Sequence, residues 1–504
     1  MINSFLVEKI HKNFGFDPTG EQSEAIAMMS DFLVSQRGME LLLLRGYAGT
    51  GKTTLVGALV KTLTELKQSV VLMAPTGRAA KVFSAYAEHP AYTIHKQIYR
   101  QKSITDDSSF SLNVNLSKHT LFIVDEASMI PNEGLSSAVF GSGRLLDDLI
   151  QYVYSGEGCR LILMGDTAQL PPVGEEESPA LSPSLLASYG LEIFETTLTK
   201  VMRQLSESGI LYNATQIRCK LMEKQINEDA YSTRFASTND IPLIIDSQFP
   251  DVTHVSGGEL IESLESTYSR WGDDDCMIIC RSNKRANIYN QGIRSRILYR
   301  EEELTSGDRI MVVKNNYYWV EREQQALIKN AKSKTPQTPL PTLPLSFIAN
   351  GDIAVVRRVR RTRELYGFRF ADVVLRFPDY DDYEMETTVL LDTLHSEAPS
   401  LTRDESERLF TAVMEDYADL PLKKDRYQQL RFDPHFNALQ IKYAYAVTCH
   451  KAQGGQWSCI YLDQGYLPPE TSTIDYYRWL YTAFTRATEQ IYLINWPRHE
   501  EPLQ

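Results

Sequence analysis

Two short stretches carry residues in a pattern that can bind and split a phosphoanhydride. The first is Gly46-Tyr47-Ala48-Gly49-Thr50-Gly51-Lys52-Thr53. Its spacing is that of a P-loop, and it stands between the apolar run Leu41–Leu44 and a helical pattern over Thr53–Leu66. Glycines let backbone N–H groups wrap phosphate oxygens, and a following helix N-terminus favours their charge. Gly46, Gly49, Thr50, Gly51, Lys52, Thr53 and Thr54 are the expected nucleotide contacts. Lys52 reaches the β- and γ-phosphates, and the Thr53 hydroxyl serves Mg²⁺. The second stretch is Leu121-Phe122-Ile123-Val124 followed by Asp125 and Glu126. An apolar strand ending in two acids sets carboxylates at the carboxyl edge of a parallel sheet, beside the loop. Asp125 is expected to hold Mg²⁺, and Glu126 to orient and deprotonate the attacking water. Together the motifs predict a nucleoside triphosphatase.

Three further segments bear on what hydrolysis drives. Leu161-Ile162-Leu163-Met164 runs into Gly165-Asp166-Thr167-Ala168-Gln169, then Pro171 and Pro172. A glutamine presented there can hydrogen-bond the γ-phosphate and report its loss. Thr448-Cys449-His450-Lys451-Ala452-Gln453-Gly454-Gly455 and Leu480–Arg486 lie near the other end of the chain.

Positioning these groups needs strands alternating with helices. Leu41–Leu44, Val70–Met73, Leu121–Val124 and Leu161–Met164 read as buried strands, with Thr53–Leu66 and Arg78–Ala87 as helices between them. A second set follows: strands Met277–Cys280, Lys442–Val447, Ser458–Leu462 and Gln490–Asn495, with a helix over Lys284–Tyr299. Between the late strands the texture changes. Four prolines between Lys334 and Leu345 favour an extended linker. Beyond them come β-rich segments, Gly351–Val359, Phe368–Phe377 and Glu386–Leu391, and a helix over Asp404–Tyr417.

The chain has 504 residues, enough for about three to four domains. Its 52 Lys and Arg against 65 Asp and Glu give a net charge of −13. That argues against gripping nucleic acid by overall positive charge, but leaves room for a local track. The composition excludes a disordered, collagen-like or disulfide-stapled chain. Six cysteines without zinc-like spacing read as free thiols. The opening Met1–Ile10 lacks the pattern of a secretory leader, and no apolar run approaches a membrane span. A cytoplasmic, nucleoid-associated protein without membrane contact is the expectation.

The motifs, in this order, resemble those of the superfamily 1 helicases, and within them the RecD-like 5′-to-3′ branch. The likeness runs from about Thr19 to Arg486. Thr19-Gly20-Glu21-Gln22 resembles the Q motif, Ala74-Pro75-Thr76-Gly77-Arg78 motif Ia, and Thr93-Ile94-His95-Lys96 a strand-contact motif. Thr199–Arg203 resembles motif IV, and Phe484-Thr485-Arg486 motif VI. Gln456 stands where many relatives carry Glu, and Ala354 where a glycine is frequent. The resemblance implies an α/β fold: two RecA-like parallel-sheet P-loop lobes, a small β-hairpin insert in the first, and an SH3-like, partly β insert in the second. The corresponding ranges are 1–85 with 119–188 for the first lobe and 86–118 for the hairpin. The second lobe is 189–315 with 436–504, and its insert is 316–435. ATP is the implied nucleotide, with Gln22 reading adenine, Gly455 beside the nucleotide, and Gln169, Arg203 and Arg486 acting on the γ-phosphate with Lys52 and Glu126.

The same resemblance implies a single-stranded DNA track over Pro75, Thr76, Arg78, Thr93, His95 and Lys96, continued by Thr448, His450, Lys451 and Gln453. These small hydroxyl and modestly positive groups suit sequence-blind phosphate contacts. Phe110, near the hairpin tip, reads either as a wedge between bases or as a packed side chain. Arg357–Arg363 holds five arginines, read either as a phosphate-contacting strand or as an edge paired to nearby acids. The leading expectation is a monomeric ATP-dependent DNA helicase that unwinds at single/double-strand junctions, in repair, recombination or replication. A single-strand-binding or nuclease partner is the implied company. The alternatives are an RNA helicase or ribonucleoprotein remodeller, separated by contacts to the 2′-OH, and a motor subunit of a helicase–nuclease complex.

Overall fold

The computed structural model describes residues 2–35, 37–101, 110–134, 141–201, 208–230, 248–332, 343–345, 347–467 and 472–496. The chain divides into two compact units. One comprises Met1–Val255, Ala452–Leu462 and Tyr466–Gln504, the other Ser256–Lys451 and Asp463–Gly465.

The first unit contains β1 (Glu40–Gly46), β2 (Val70–Ala74), β3 (Ala91–Thr93), β4 (Tyr99–Gln101), β5 (Phe110–Leu112), β6 (Leu121–Val124), β7 (Arg160–Gly165), β8 (Glu192–Leu198) and β9 (Val252–Val255). Six of them form a sheet ordered β3-β2-β6-β7-β1-β8, parallel at every pairing. Its central strands are covered on both faces, which is why they read as unbroken apolar runs. Side chains alternate between two cores. Leu42, Leu44, Ile123 and Ile162 pack with helices Gly20–Val34 and Lys52–Glu65. Leu41, Leu43, Phe122 and Val124 pack with helix Leu145–Tyr154. The parallel order brings the carboxyl ends of β1, β6 and β7 side by side, where open α/β sheets bind ligands. β4 and β5 pair antiparallel, Gln101 opposite Phe110, as the hairpin insert. Its polar tip, residues 103–109, lies outside the described residues.

The second unit holds β10 (Cys276–Cys280), β11 (Arg309–Val312), β12 (Ile353–Leu365), β13 (Phe368–Phe377), β14 (Tyr383–Leu390), β15 (Leu439–Tyr443) and β16 (Ala446–Thr448). β10 and β16 pair in parallel. β11 to β15 close a five-stranded barrel. The expected single strand Lys442–Val447 is thus two: its first part closes the barrel, and its last part joins the parallel pair. Both parts are buried, so the run itself carries no sign of the break. Phe368, Phe370 and Leu390 of the barrel pack against Leu409, Val413 and Leu430 of helices Arg403–Glu415 and Lys423–Arg431. Fully buried Asp308 is satisfied by Arg294 Nε at 2.8 Å, Arg300 Nη1 at 2.7 Å and the Thr305 N–H at 2.8 Å.

The arginine run lies on β12. Arg357, Arg360 and Arg363 pair with Glu384, Glu386 and Asp372 across the barrel, while Arg358 and Arg361 are exposed. The Pro-rich stretch falls mostly outside the described residues.

The chain returns to the first unit with β17 (Trp457–Asp463), helix Thr473–Phe484 and β18 (Ala487–Ile494). β18 lies beside β17 and pairs in parallel with β9. All six cysteines are free thiols, and burial pushes the Cys280 thiol up to about 12. Among the described residues, no helix is long and apolar enough to cross a membrane.

Candidate nucleotide site and nucleic-acid interface

β1 delivers the chain to Gly46, and the loop turns through Gly49 (φ 75°) and Gly51 (φ 84°) into helix Lys52–Glu65. Both angles lie in the left-handed region, where a side chain is costly and glycine is not. At Gly46, a Cβ would sit 2.9 Å from Lys52 Cγ and 3.0 Å from Leu198 Cβ. The Lys52 ammonium rests on the loop's own carbonyls, Gly46 O and, at 2.9 Å, Tyr47 O. These are weak acceptors for an ammonium compared with a phosphate oxygen. Gln22 is buried beneath the loop. Its Nε2 donates to Thr50 O at 3.0 Å, and its Oε1 accepts the Thr19 N–H at 3.0 Å within a capping box. Its geometry is that of a brace for the P-loop, with one amide hydrogen left for a ligand.

β6 ends at Asp125 and Glu126. Glu126 has φ 52°, an uncommon conformation for a side-chain-bearing residue that tends to mark functional sites. Its N–H donates to Asp125 Oδ1 at 2.7 Å. Burial, then the charge of Glu126, pushes the Asp125 carboxyl up to about 7. Gln169 is buried, and its Oε1 has no partner. Arg486 is buried, held by Thr482 O, Gly455 O and Thr485 Oγ1 at 3.1, 3.2 and 3.2 Å. Its Nη1 lies 3.7 Å from Glu126 Oε1.

Gln22, Gly49, Gly51, Lys52, Thr53, Thr54, Asp125, Glu126, Gln169 and Arg486 line one cavity of about 640 Å³. Phe14, Phe16, Val82 and Tyr86 give part of it an apolar wall. Thr53 and Asp125 offer one hydroxyl and one carboxylate. Among the described residues, no cluster of three acidic, His or Cys ligands could hold an ion alone. That donor set suits Mg²⁺, which keeps waters and binds through one or two protein oxygens plus substrate phosphates. Gly455 does not line the cavity; its carbonyl steadies Arg486 instead. Arg203 lies outside the described residues.

Two site residues escaped the sequence reading. Asp166, at the end of β7, lines the cavity, and Tyr481 donates to its Oδ2 at 2.6 Å. Burial raises the Asp166 pKa. A strand-end acid next to β6 was the available signal for Asp166. Tyr481 sits in the apolar stretch Tyr476–Phe484, which reads as core.

The candidate track residues fall in both units. Pro75 follows β2, and Thr76 caps helix Gly77–Ala87 by accepting the Ala79 N–H at 3.2 Å. Thr93 caps Ile94–Ile98 in the same way through the Lys96 N–H at 3.2 Å. The Arg78 guanidinium lies 4.2 Å over the Trp457 ring and donates to Gln456 O at 2.9 Å. Gly454 and Gly455 permit this approach: a Cβ would meet Thr76 Oγ1 at 3.1 Å on the first and Trp457 Cη2 at 2.5 Å on the second. Burial pushes the half-buried His95 imidazole down to about 4, and lowers Lys96, which lies over Tyr92. Gln453 is buried and donates to Leu170 O at 2.7 Å. Phe110 opens β5. Thr448, His450 and Lys451 belong to the second unit, with His450 exposed and Lys451 lowered by burial.

Residues 19–228 match the AAA domain family, and residues 443–494 match the UvrD-like helicase C-terminal domain. The ATP-dependent RecD2 DNA helicase of Deinococcus radiodurans is 31% identical over 193 residues, which cover 38% of this chain and 23% of that protein. The ATP-dependent DNA helicase dda of Enterobacteria phage T4 is 25% identical over 283 residues, covering 53% of this chain and 55% of that one. The chain thus spans about a quarter and about half of these two relatives. A crystal structure of Pif1 helicase from Bacteroides, in complex with ADP-AlF3 and ssDNA, aligns with a TM-score of 0.43 at 15% identity, covering 95% of this chain and 92% of that one. The chain thus joins a match to the AAA domain family, spanning the P-loop, to a later match to the UvrD-like helicase C-terminal domain, and over part of its length it is similar to two ATP-dependent DNA helicases.

Proposed function

We propose that the protein is an ATP-dependent DNA helicase that moves 5′ to 3′ along single-stranded DNA and separates duplex strands at junctions. One observation carries this reading. Arg486, on the segment matched by the helicase C-terminal domain, reaches Glu126 in the P-loop cavity at 3.7 Å. A cation so placed stabilises charge that develops on a transferred phosphoryl group. It also ties turnover to the position of a remote part of the chain.

In this account the loop amides and the start of helix Lys52–Glu65 receive the phosphates. Lys52 exchanges the Gly46 and Tyr47 carbonyls for phosphate oxygens. Thr53 and Asp125 are the residues that would hold Mg²⁺, which when bound offsets phosphate charge. Glu126 takes a proton from the attacking water, and the unpartnered Gln169 Oε1 is the acceptor that orients that water. Arg203 is a second arginine for the γ-phosphate. Thr76 and Thr93 present two helix starts toward a phosphodiester chain, and the neutral His95 adds a stacking or hydrogen-bonding face rather than a charge.

The test is ATP turnover with and without oligo(dT). Turnover rising at least about tenfold with the strand fits a DNA-driven motor. Turnover indifferent to DNA, or stimulated by RNA alone, contradicts the reading.

A further inference from the structure

One side chain of helix Thr473–Phe484 is bonded to both sides of the cavity. The Tyr481 hydroxyl accepts the Ala48 N–H of the P-loop at 2.8 Å and donates to Asp166 Oδ2 at 2.6 Å. An amide can only donate, so the hydroxyl accepts from Ala48 and its own hydrogen is left for Asp166 Oδ2. Tyr481 is 1% exposed, which shields both bonds from bulk solvent.

Asp166 in turn shapes the loop that follows. Its Oδ1 accepts the Ala168 N–H at 2.9 Å, and its carbonyl accepts the Gln169 N–H at 3.3 Å. Leu170 is clamped on both backbone groups. Its N–H donates to Thr482 Oγ1 at 2.9 Å, and its carbonyl accepts Gln453 Nε2 at 2.7 Å. Gln169 stands between these fixed points with its Oε1 buried and unpartnered. Adjacent residues of one helix therefore hold the turn before Gln169 and the residue after it. Thr482 also accepts Arg486 Nε through its carbonyl at 3.1 Å, so the same turn of helix steadies the arginine.

We propose that Tyr481 and Thr482 are positioning residues that aim Gln169 at the reacting water, with Tyr481 linking the P-loop to the Asp166 turn. The inference rests on the hydrolytic reading of the cavity. Without the hydroxyl, Asp166 loses a donor and the Ala48 N–H an acceptor, and the turn is free to rotate Gln169 out of line. A misplacement of about 1 Å is enough to cost a large factor in rate.

The experiment is a double-mutant cycle on the full chain: wild type, Tyr481→Phe, Gln169→Ala and the double variant, assayed for steady-state ATP turnover at saturating single-stranded DNA. Tyr481→Phe is expected to lower kcat about tenfold, the loss of one hydrogen bond to a charged group, while KM for ATP stays within about twofold. In the Gln169→Ala background the same change should cost less than about twofold, because there is nothing left to aim. Thr482→Val, which removes the acceptor for the Leu170 N–H, should repeat the pattern and stands in if melting shows that Tyr481→Phe does not fold. Losses that multiply in the double variant, or an unchanged kcat in a folded single variant, overturn the inference. A wild-type protein that turns over no nucleotide overturns the hydrolytic reading as well, whereas wild-type turnover with multiplying losses removes only the positioning role.

Discussion

Arg486 and Glu126 face each other at 3.7 Å in one cavity, and neither is free to drift. Glu126 is fixed by a left-handed backbone, Arg486 by three hydrogen bonds to the chain around it. Arg486→Ala should therefore lower kcat by roughly 10²- to 10³-fold, the scale of losing one preorganised stabiliser, with KM for ATP little changed. Glu126→Gln should stop turnover and leave nucleotide binding intact. Steady-state kinetics beside titration with a fluorescent nucleotide checks both, and an unchanged kcat in either variant removes that residue from the chemistry.

Gly455→Ala probes the closeness of helix Gly77–Ala87 to the Gly454–Trp457 segment. The new methyl would lie 2.5 Å from Trp457 and 3.1 Å from Arg78 Nε, displacing the ring under the guanidinium. Overpacking of this kind costs ~1–3 kcal/mol, so thermal melting should fall by several degrees. Single-strand affinity should fall with it, since Thr76 sits in the same contact. Wild-type melting would mean that the ring has room the structure does not show.

His95 gives a pH prediction. Its folded pKa, about 4, lies below the ordinary 6.5. A depressed pKa means the unfolded chain takes up the proton first, so its contribution to stability is present above about pH 6.5 and fades as pH falls toward 4. His95→Asn should flatten that part of the stability–pH curve, followed by urea unfolding between pH 7.5 and 4.5. An ordinary imidazole would instead gain charge near pH 6 and strengthen DNA binding there; the structure predicts no such gain.

Asp308 leads into β11 of the barrel, with two arginines on its one carboxylate. Asp308→Ala leaves the buried Arg294 and the partly buried Arg300 without their partner, a loss of ~3–5 kcal/mol. Melting should fall sharply, and a near-wild-type curve would show that water reaches the arginines.

The parts of the fold legible in the sequence are those whose burial is complete. Leu41–Leu44 and Leu121–Val124 face a core on both sides, and each wrote an unbroken apolar run. Edge strands wrote nothing comparable. β8, Glu-Ile-Phe-Glu-Thr-Thr-Leu at the end of the sheet, is only partly buried and escaped notice. β12 runs to Leu365, past the arginines, because its charges are answered by acids on β13 and β14. The P-loop and the Asp125–Glu126 pair were legible because their chemistry is local in the chain. The Tyr481–Asp166 bond was not, because it exists only once distant segments fold together.

In the proposed function, nucleotide turnover separates DNA strands in one direction. The most direct measurement uses two labelled duplexes, one with a 5′ single-stranded tail and one with a 3′ tail, each with ATP and with either wild-type protein or Lys52→Ala. ATP-dependent strand release is expected from the 5′-tailed duplex, little from the 3′-tailed one, and none with Lys52→Ala. Release from the 3′ tail would contradict the direction of movement, and release that persists with Lys52→Ala would contradict the motor itself.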